Sequence, residues 1–207
     1  MASLVSRLRI VPIVEGHGEQ RAVRILLDRI WRELIHGDYI DVLTPIRQRK
    51  ASLTGKPLAL SRALDLAMGK LANPDLKPTP AIILILVDAD KDLPCRLGPE
   101  LLQLARSTRS DADIACVIAN IEYESWFVAA AESLKDYLEF QPNDVLPVNP
   151  EQNRLGKAWI SRRFRGVKYS ETVDQPKLTA RMDLVEARAH SASFDRLCRE
   201  LERRFQS

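Results

Sequence analysis

Residues 81–92 read AIILILVDADKD, a purely apolar run followed by alternating aspartates. A strand inside a parallel sheet is covered on both faces and is therefore continuously hydrophobic. The run predicts a central, buried strand over Ala81–Val87. Residues 8–19, LRIVPIVEGHGE, follow the same plan, because an apolar strand pattern ends in a glutamate and a glycine turn before a helical pattern begins.

Strand and helix patterns alternate along most of the chain. The predicted strands are Leu8–Val14, Tyr39–Ile46, Ala81–Val87 and Asp113–Ala119. The predicted helices are Glu19–Ile35, Pro57–Leu71, Pro99–Ser107, Glu124–Leu138 and two helices within Thr179–Phe205. This order predicts an α/β fold with right-handed βαβ units around a mainly parallel, four-stranded sheet. We expect residues 1–140 to form the α/β core. Residues 141–207 would add a loop and a helical C-terminal extension packed on it, in one compact unit.

The composition argues against several classes of protein. Charged residues make up 29% of the 207 residues, and the formal net charge is only +3. The cysteines Cys95, Cys116 and Cys198 are widely spaced and form no Cys-x-x-Cys pair, which argues against a disulfide framework or a structural zinc site. The longest apolar run is too short to span a bilayer, and the N-terminus lacks the pattern of a signal peptide. We therefore expect a cytoplasmic protein without membrane contact.

Acidic residues follow three of the predicted strands, at the edge where open α/β sheets bind ligands. These residues, here called the acidic cluster, are Glu15, Glu19, Asp88, Asp90, Glu122 and Glu124. Neighbouring carboxylates raise one another's pKa values unless a cation neutralises them. Carboxylate oxygens suit Mg²⁺ or Mn²⁺, and two such ions can clamp the attacking and leaving oxygens of a phosphodiester. The sequence therefore predicts a divalent-metal site.

Other interpretations of these residues remain open. An aspartate after a strand is also a common turn residue or helix N-cap, which is the interpretation that suits Asp92. Gly16-His17-Gly18 could belong to a dinucleotide-binding loop, but the third glycine of that motif is absent. Asp88-Ala89-Asp90 could serve a phosphatase with an aspartate nucleophile, although such a pair usually follows the first strand.

A basic segment, residues 152–170, contains no acidic residue. Its candidate nucleic-acid contacts are Arg154, Arg162, Arg163, Arg165 and Lys168. Trp159, Phe164 and Tyr169 are interleaved with these cations, a pattern that suits phosphates and stacked bases. The segment predicts a nucleic-acid partner, DNA in preference to RNA. The alternative is a solvated basic helix in which Trp159 and Phe164 anchor the core.

The order of the acidic motifs resembles the Toprim domain of topoisomerases, primases and the overcoming-lysogenization-defect (OLD) nucleases. The matching residues are Val14-Glu15-Gly16 with Glu19, and then a strand that ends in Asp88-Ala89-Asp90. The OLD nucleases are the most similar, although they carry Ser-x-Glu where this chain has Glu122-Tyr123-Glu124. Residues 122–127 and 169–179 also resemble small stand-alone bacterial Toprim-like proteins of unknown function.

This resemblance implies a Toprim-like (Rossmann-like) three-layer sandwich. It also implies a nuclease-like phosphodiester enzyme that uses Mg²⁺ or Mn²⁺ in bacterial defence or DNA repair. Glu15 would be a metal ligand or general acid/base, and Asp88 and Asp90 would be metal ligands. Glu19 and Glu124 would complete a second metal site, with Glu122 as a further candidate ligand.

The OLD nucleases carry two further features that bear on this chain. They use a catalytic lysine after the Toprim core, for which Lys157 and Lys177 are the candidates here. They also carry an ATPase, which this sequence lacks. A non-catalytic module that binds a separately encoded ATPase is therefore the alternative to a nuclease.

Overall fold

The computed structural model describes residues 7–72, 79–141, 144–152 and 156–205. Its strands are β1 (Arg7–Val14), β2 (Tyr39–Val42), β3 (Ile46–Arg47), β4 (Ala81–Asp88) and β5 (Ile114–Ala119). They form one sheet in the order β2-β1-β4-β5, with β3 also pairing with β1, and all of these pairings are parallel. The predicted α/β class and mainly parallel central sheet are confirmed.

The second predicted strand differs in extent from the strands observed. Residues 39–46 form two short strands instead of one, and both pair with β1. Pro45 lies in the gap between them and has no backbone N–H to donate to a ladder. Pairing resumes at Ile46, so the sheet gains a fifth, two-residue strand beside the end of β1.

Helices cover both faces of the sheet. They are α1 (His17–Arg29), α2 (Lys50–Gly55), α3 (Pro57–Leu71), α4 (Pro94–Thr108), α5 (Glu124–Ala129), α6 (Gly156–Arg163), α7 (Glu171–Thr179), α8 (Leu184–His190) and α9 (Ala192–Phe205). A π-helical turn, Ile30–Leu34, extends α1, and a 3₁₀ turn, Ala131–Leu134, follows α5. None of the described helices has both the length and the apolar character needed to cross a bilayer.

Some helices differ from their predicted extents, and α2 and α7 have no counterpart among the predicted helices. Helix α4 begins at Pro94 rather than at Pro99. Pro94 occupies the first turn, where its missing N–H costs no helical hydrogen bond, and Pro99 lies inside the helix. The long helix predicted from Glu124 ends at Ala129 and continues only as the 3₁₀ turn. Helix α7 is absent from the prediction, since it is short and contains Pro176.

Strand β4 divides the core into two layers. Ile82, Leu84 and Leu86 face a cluster that contains the apolar sides of α1, α5, α8 and α9. Ile83 and Ile85 face a second cluster, built with α3 and α4. The alternation of side chains along a strand produces this division, and burial on both faces explains the uninterrupted hydrophobicity of residues 82–87. The result is a three-layer, Rossmann-like sandwich.

The C-terminal helices share the core of the sheet and are tied to it by polar contacts. Arg204 bonds both carboxylate oxygens of Asp113, at 2.6 and 2.7 Å, in the turn before β5. The Trp126 indole N–H donates to Ser193 Oγ at 2.8 Å. Arg29 in α1 donates to the carbonyl oxygen of Thr179 at 2.9 Å. These contacts tie α7 to α1, and α9 to α5 and to the residue before β5.

Truncating the central strand should destabilise the protein strongly. Leu84 is fully buried, so Leu84→Ala should lower the free energy of unfolding by about 2–5 kcal/mol through lost burial and a cavity. Leu58 is 62% exposed, and Leu58→Ala should change it by no more than about 0.5 kcal/mol. Urea denaturation of both variants measures the difference. Equal losses would contradict the assignment of β4 as the shared centre of the two layers.

Candidate functional site

The acidic cluster lies where β1, β4 and β5 end. Glu15 directly follows β1, and Asp88 is the last residue of β4. Hydrogen bonds between the segments of β4 and β5 continue beyond the ends of the two strands. Ala89 N–H donates to the carbonyl oxygen of Ala119 at 2.8 Å, and Asp90 N–H donates to the carbonyl oxygen of Ile121 at 2.9 Å. This extension holds the loop after β5, which carries Glu122 and Glu124, beside the end of β4.

Asp88 is held in an environment that disfavours its ionised form. Its Oδ1 accepts a hydrogen bond of 2.9 Å from the backbone N–H of Tyr123. Loss of water raises the pKa of Asp88 well above its usual value, and the charges of Glu19, Glu124 and Asp90 raise it further. The Tyr123 N–H acts in the opposite direction but does not outweigh them. Three chain segments therefore direct negative charge at one carboxylate.

Glu124 is buried, with 3% of its surface exposed. The Tyr169 hydroxyl donates to Glu124 Oε1 at 2.8 Å. Burial is the main reason that the pKa of Glu124 rises to about 7, and the charges of Glu171 and Glu122 add to the effect. Glu124 thus gains and loses its proton close to neutral pH.

Glu19 lies in the first turn of α1, and its Oε2 accepts a short hydrogen bond from Gly16 N–H. Burial raises the pKa of Glu19, and the charges of Glu171 and Glu15 reinforce that rise. Glu15 in turn accepts a hydrogen bond of 3.1 Å from the backbone N–H of Lys50. The two glutamates on either side of the glycine turn are therefore both held by backbone donors.

Asp90 carries its own counter-ion. The nearly buried Lys50 ammonium contacts Asp90 Oδ2 at 2.6 Å, Asp92 Oδ2 at 3.0 Å and the Ala89 carbonyl at 2.8 Å. Asp92 is thus an ion-pair partner as well as an exposed turn residue. A cation that used Asp90 as a ligand would have to compete with this ammonium.

Glu122 and Lys157 connect the cluster to helix α6. Glu122 Oε2 accepts from the Lys157 backbone N–H at 2.8 Å, at the start of that helix. A Cβ at Gly156 would lie only 2.6 Å from the same oxygen, so a larger residue there would displace the Glu122 carboxylate. The Lys157 ammonium forms a close ion pair with Glu171. Glu122 therefore anchors the helix that brings Lys157 to the cluster.

The two lysine candidates lie in different surroundings. The charges of Glu171, Glu124 and Glu122 raise the pKa of Lys157, with the Glu171 hydrogen bond as the largest cause. The Lys177 ammonium pairs with Asp174 at 3.0 Å, within its own helix. The charges of Glu124 and Glu122 thus link Lys157 to the acidic cluster.

Residues of the basic segment are only partly available to a ligand. Arg162 and Lys168 are exposed. Arg163 stacks on Trp159, 4.3 Å from the ring centroid, and pairs with Asp144 at 3.1 Å. Arg165 is exposed but donates to the carbonyl oxygens of Lys135 and Leu138, both at 3.1 Å. Arg154 lies outside the described residues. Trp159 is buried, as a core anchor would be.

Several residues at the site escape prediction from the sequence. Lys50, Tyr169, Glu171 and Gln175 all contact or act on the acidic cluster. Tyr169, Glu171 and Gln175 belong to the 169–179 stretch that carries a family resemblance, in which only Lys177 has a predicted catalytic role. Only the folded chain reveals that this stretch packs against the turn after β1.

The donor atoms suit a hard divalent cation, but the side chains are not preassembled around one. Over the described parts of the chain, no group of three or more His, Cys, Asp or Glu side chains is positioned to hold a metal ion. Mg²⁺ commonly takes one or two protein carboxylates and fills its remaining positions with water and substrate phosphate. A site built on Asp88 and one neighbouring carboxylate is compatible with both statements.

Comparisons with known proteins give one match. The family described as "Domain of unknown function (DUF4276)" matches residues 14–202. No curated protein and no solved structure matches the chain. The matched range includes the whole acidic cluster as well as Lys50, Tyr169, Glu171 and Gln175, so the family match spans the complete site.

The titration of Glu124 should make the cation-free protein less stable as the pH rises. The folded chain holds this proton up to about pH 7, whereas the unfolded chain releases it near 4.5. Ionisation therefore costs the folded state about 3 kcal/mol by pH 8, and Asp88 acts in the same direction. Glu124→Gln should remove the Glu124 contribution.

Denaturation in EDTA at pH 5 and pH 8 measures this effect. Wild type should lose more stability between the two pH values than Glu124→Gln does. The exposed Glu132, paired with Lys135 at 3.4 Å, supplies the control, and Glu132→Gln should keep the wild-type pH dependence. An identical loss in Glu124→Gln and wild type would show that Glu124 is ionised in both states.

Proposed function

The chain belongs to the DUF4276 family, and we propose that it is a Mg²⁺- or Mn²⁺-dependent enzyme that cleaves phosphodiester bonds in nucleic acid. The observation that carries this proposal is the placement of Asp88. It lies at the carboxyl end of the central strand, with Glu19 and Glu124 close enough to disturb its ionisation. Such sheet ends are the usual ligand site of open α/β folds.

The charges around Asp88 favour a cation. The ammonium groups described at the cluster pair with other carboxylates, since Lys50 contacts Asp90 and Lys157 contacts Glu171. Asp88 itself accepts a hydrogen bond from a neutral donor, the backbone N–H of Tyr123. A positive charge that joins such a site favours the ionised forms of its carboxylates.

Each residue has a role that follows from its place in the site. Asp88 would hold the cation together with one neighbouring carboxylate, Glu19 in the first instance and Glu124 or Glu15 as the alternatives. A bound Mg²⁺ or Mn²⁺ would polarise the phosphodiester and stabilise the attacking oxygen. Glu15, which is only half-buried, could also take or give a proton.

The neighbouring basic segment supports a nucleic-acid substrate. The first turn of α6 is fixed to Glu122, and the exposed Arg162 and Lys168 follow it. A phosphate backbone would be repelled by the acidic cluster alone, whereas a basic rim offers it favourable contacts. The order of motifs that resembles the Toprim nucleases supports the same substrate class.

Replacing Asp88 should abolish both cation binding and cleavage. We expect Mn²⁺ to raise the melting temperature of wild type, and Asp88→Asn to remove that shift. Cleavage of supercoiled plasmid, single-stranded DNA or RNA should fall by at least about 100-fold, because even residues behind metal ligands contribute 10- to 100-fold. Asp111, an exposed aspartate paired with Arg109 at 2.8 Å, supplies the control, and Asp111→Asn should behave as wild type.

Wild type that neither binds Mn²⁺ nor cleaves any of the three substrates would contradict the proposal. Co-purification with a separately encoded ATPase, together with that result, would favour the non-catalytic module instead. Cleavage that persists in Asp88→Asn at the wild-type rate would contradict the role of Asp88.

The two lysine candidates can be separated by matched variants. Lys157→Met should reduce cleavage by about 10-fold or more, because its ammonium lies beside Glu171 and can offset phosphate charge. Lys177→Met should leave cleavage within about twofold of wild type, since its ammonium pairs with Asp174. Single-turnover cleavage at saturating Mn²⁺ measures both. The reverse order would assign the catalytic role to Lys177.

A further inference from the structure

Gln175 is an unusual buried residue. It lies in α7 with 1% of its surface exposed, and neither its Nε2 nor its Oε1 has a hydrogen-bond partner of normal geometry among the described residues. Buried amide groups in folded proteins are nearly always hydrogen-bonded, and one that is not destabilises the fold. We therefore looked for a role of Gln175 other than packing.

The amide of Gln175 points at the turn that carries Glu19. A Cβ at residue 18 would lie 2.0 Å from Gln175 Oε1 and 2.9 Å from the Glu171 carbonyl oxygen. Helix α7 therefore approaches α1 this closely only because Gly18 has no side chain. The Gln175 amide is also near enough to Glu19 to favour the charged form of that carboxylate.

Glu171 lies one helical turn before Gln175, so the two side chains share a face of α7. The Glu171 carboxylate acts on both Glu19 and Glu124 and pairs with Lys157. One face of α7 thus presents a carboxylate and a carboxamide to the residues that follow β1 and β5. Both groups offer the oxygen donors that hard cations bind.

We propose that helix α7 completes the divalent-cation site, and that Gln175 is the residue through which it does so. The Gln175 carboxamide can offer its oxygen to a cation and its N–H to the Glu19 carboxylate. Glu171 adds negative charge beside them. This inference rests on the proposed function. It adds residues of the C-terminal extension to a site otherwise formed by the residues that follow the strands.

Apolar packing alone does not account for this amide. Methionine has a similar length and shape and could pack against Gly18 without burying two polar atoms. The glutamine therefore lowers the stability of the cation-free fold. A cation site at Glu19 would give both amide atoms a partner and so explain why the position carries a polar side chain.

Gln175→Met in the full chain tests the inference through two readouts. In EDTA, the melting temperature of the variant should equal or exceed that of wild type. By calorimetry, its affinity for Mn²⁺ should fall by about 10- to 100-fold, as when residues behind metal ligands are lost. The matched control is Gln103→Met, at an exposed position of α4, which should match wild type in Mn²⁺ affinity.

Gln175→Glu provides the opposite test and remains informative if Gln175→Met folds poorly. It keeps an oxygen donor but adds a charge, so the melting temperature in EDTA should fall while Mn²⁺ affinity is kept or raised. Loss of Mn²⁺ affinity by 10-fold or more in Gln175→Glu would overturn the inference. So would a Gln175→Met variant that is less stable in EDTA yet binds Mn²⁺ within about twofold of wild type.

The outcomes separate this inference from the function on which it rests. If wild type binds no Mn²⁺, both fail. If wild type binds Mn²⁺ and Asp88→Asn does not, while Gln175→Met binds as wild type does, only the role of α7 fails.

Discussion

Several carboxylates are held close together where β1, β4 and β5 end, so their charges repel one another. The groups that surround them determine how much of this repulsion is offset. Burial and neighbouring charges oppose the ionised forms of Asp88 and Glu124. A backbone N–H from Tyr123 and the hydroxyl of Tyr169 favour the ionised forms. The raised pKa values show that the opposing effects prevail in the protein alone. A divalent cation at this edge of the sheet would reverse that balance.

The lysine ammonium groups near the acidic cluster pair with carboxylates other than Asp88 and Glu124. Lys50, from α2, neutralises Asp90, and Lys157, from α6, neutralises Glu171. By contrast, neutral donors hold Asp88 and Glu124. The C-terminal helices are therefore part of the site rather than an appendage, since α6 and α7 bring charge and oxygen donors to residues that follow the strands. The contact between α7 and the glycine turn after β1 brings these groups to the proposed cation site.

The sheet and the strand-end acids could be predicted because both leave local patterns in the sequence. The continuous hydrophobicity of Ala81–Val87 marks a strand covered on both faces, and Asp88 follows it directly. The contribution of α7 leaves no such pattern. Gln175 and Glu171 reach the site only because Gly18 allows α7 to approach α1 closely. This contact depends on the tertiary structure and leaves no local pattern in the sequence. The salt bridge from Lys50 to Asp90 likewise depends on a contact between segments that are far apart in the chain.

The most direct test of a cation site at the sheet edge is a crystal structure of the protein soaked in Mn²⁺, with anomalous diffraction recorded for manganese. We expect an anomalous peak in contact with Asp88, with Glu19 as a second ligand and the Gln175 carboxamide beside them. A well-ordered site without an anomalous peak at saturating Mn²⁺, or manganese bound only away from Asp88, would contradict the account.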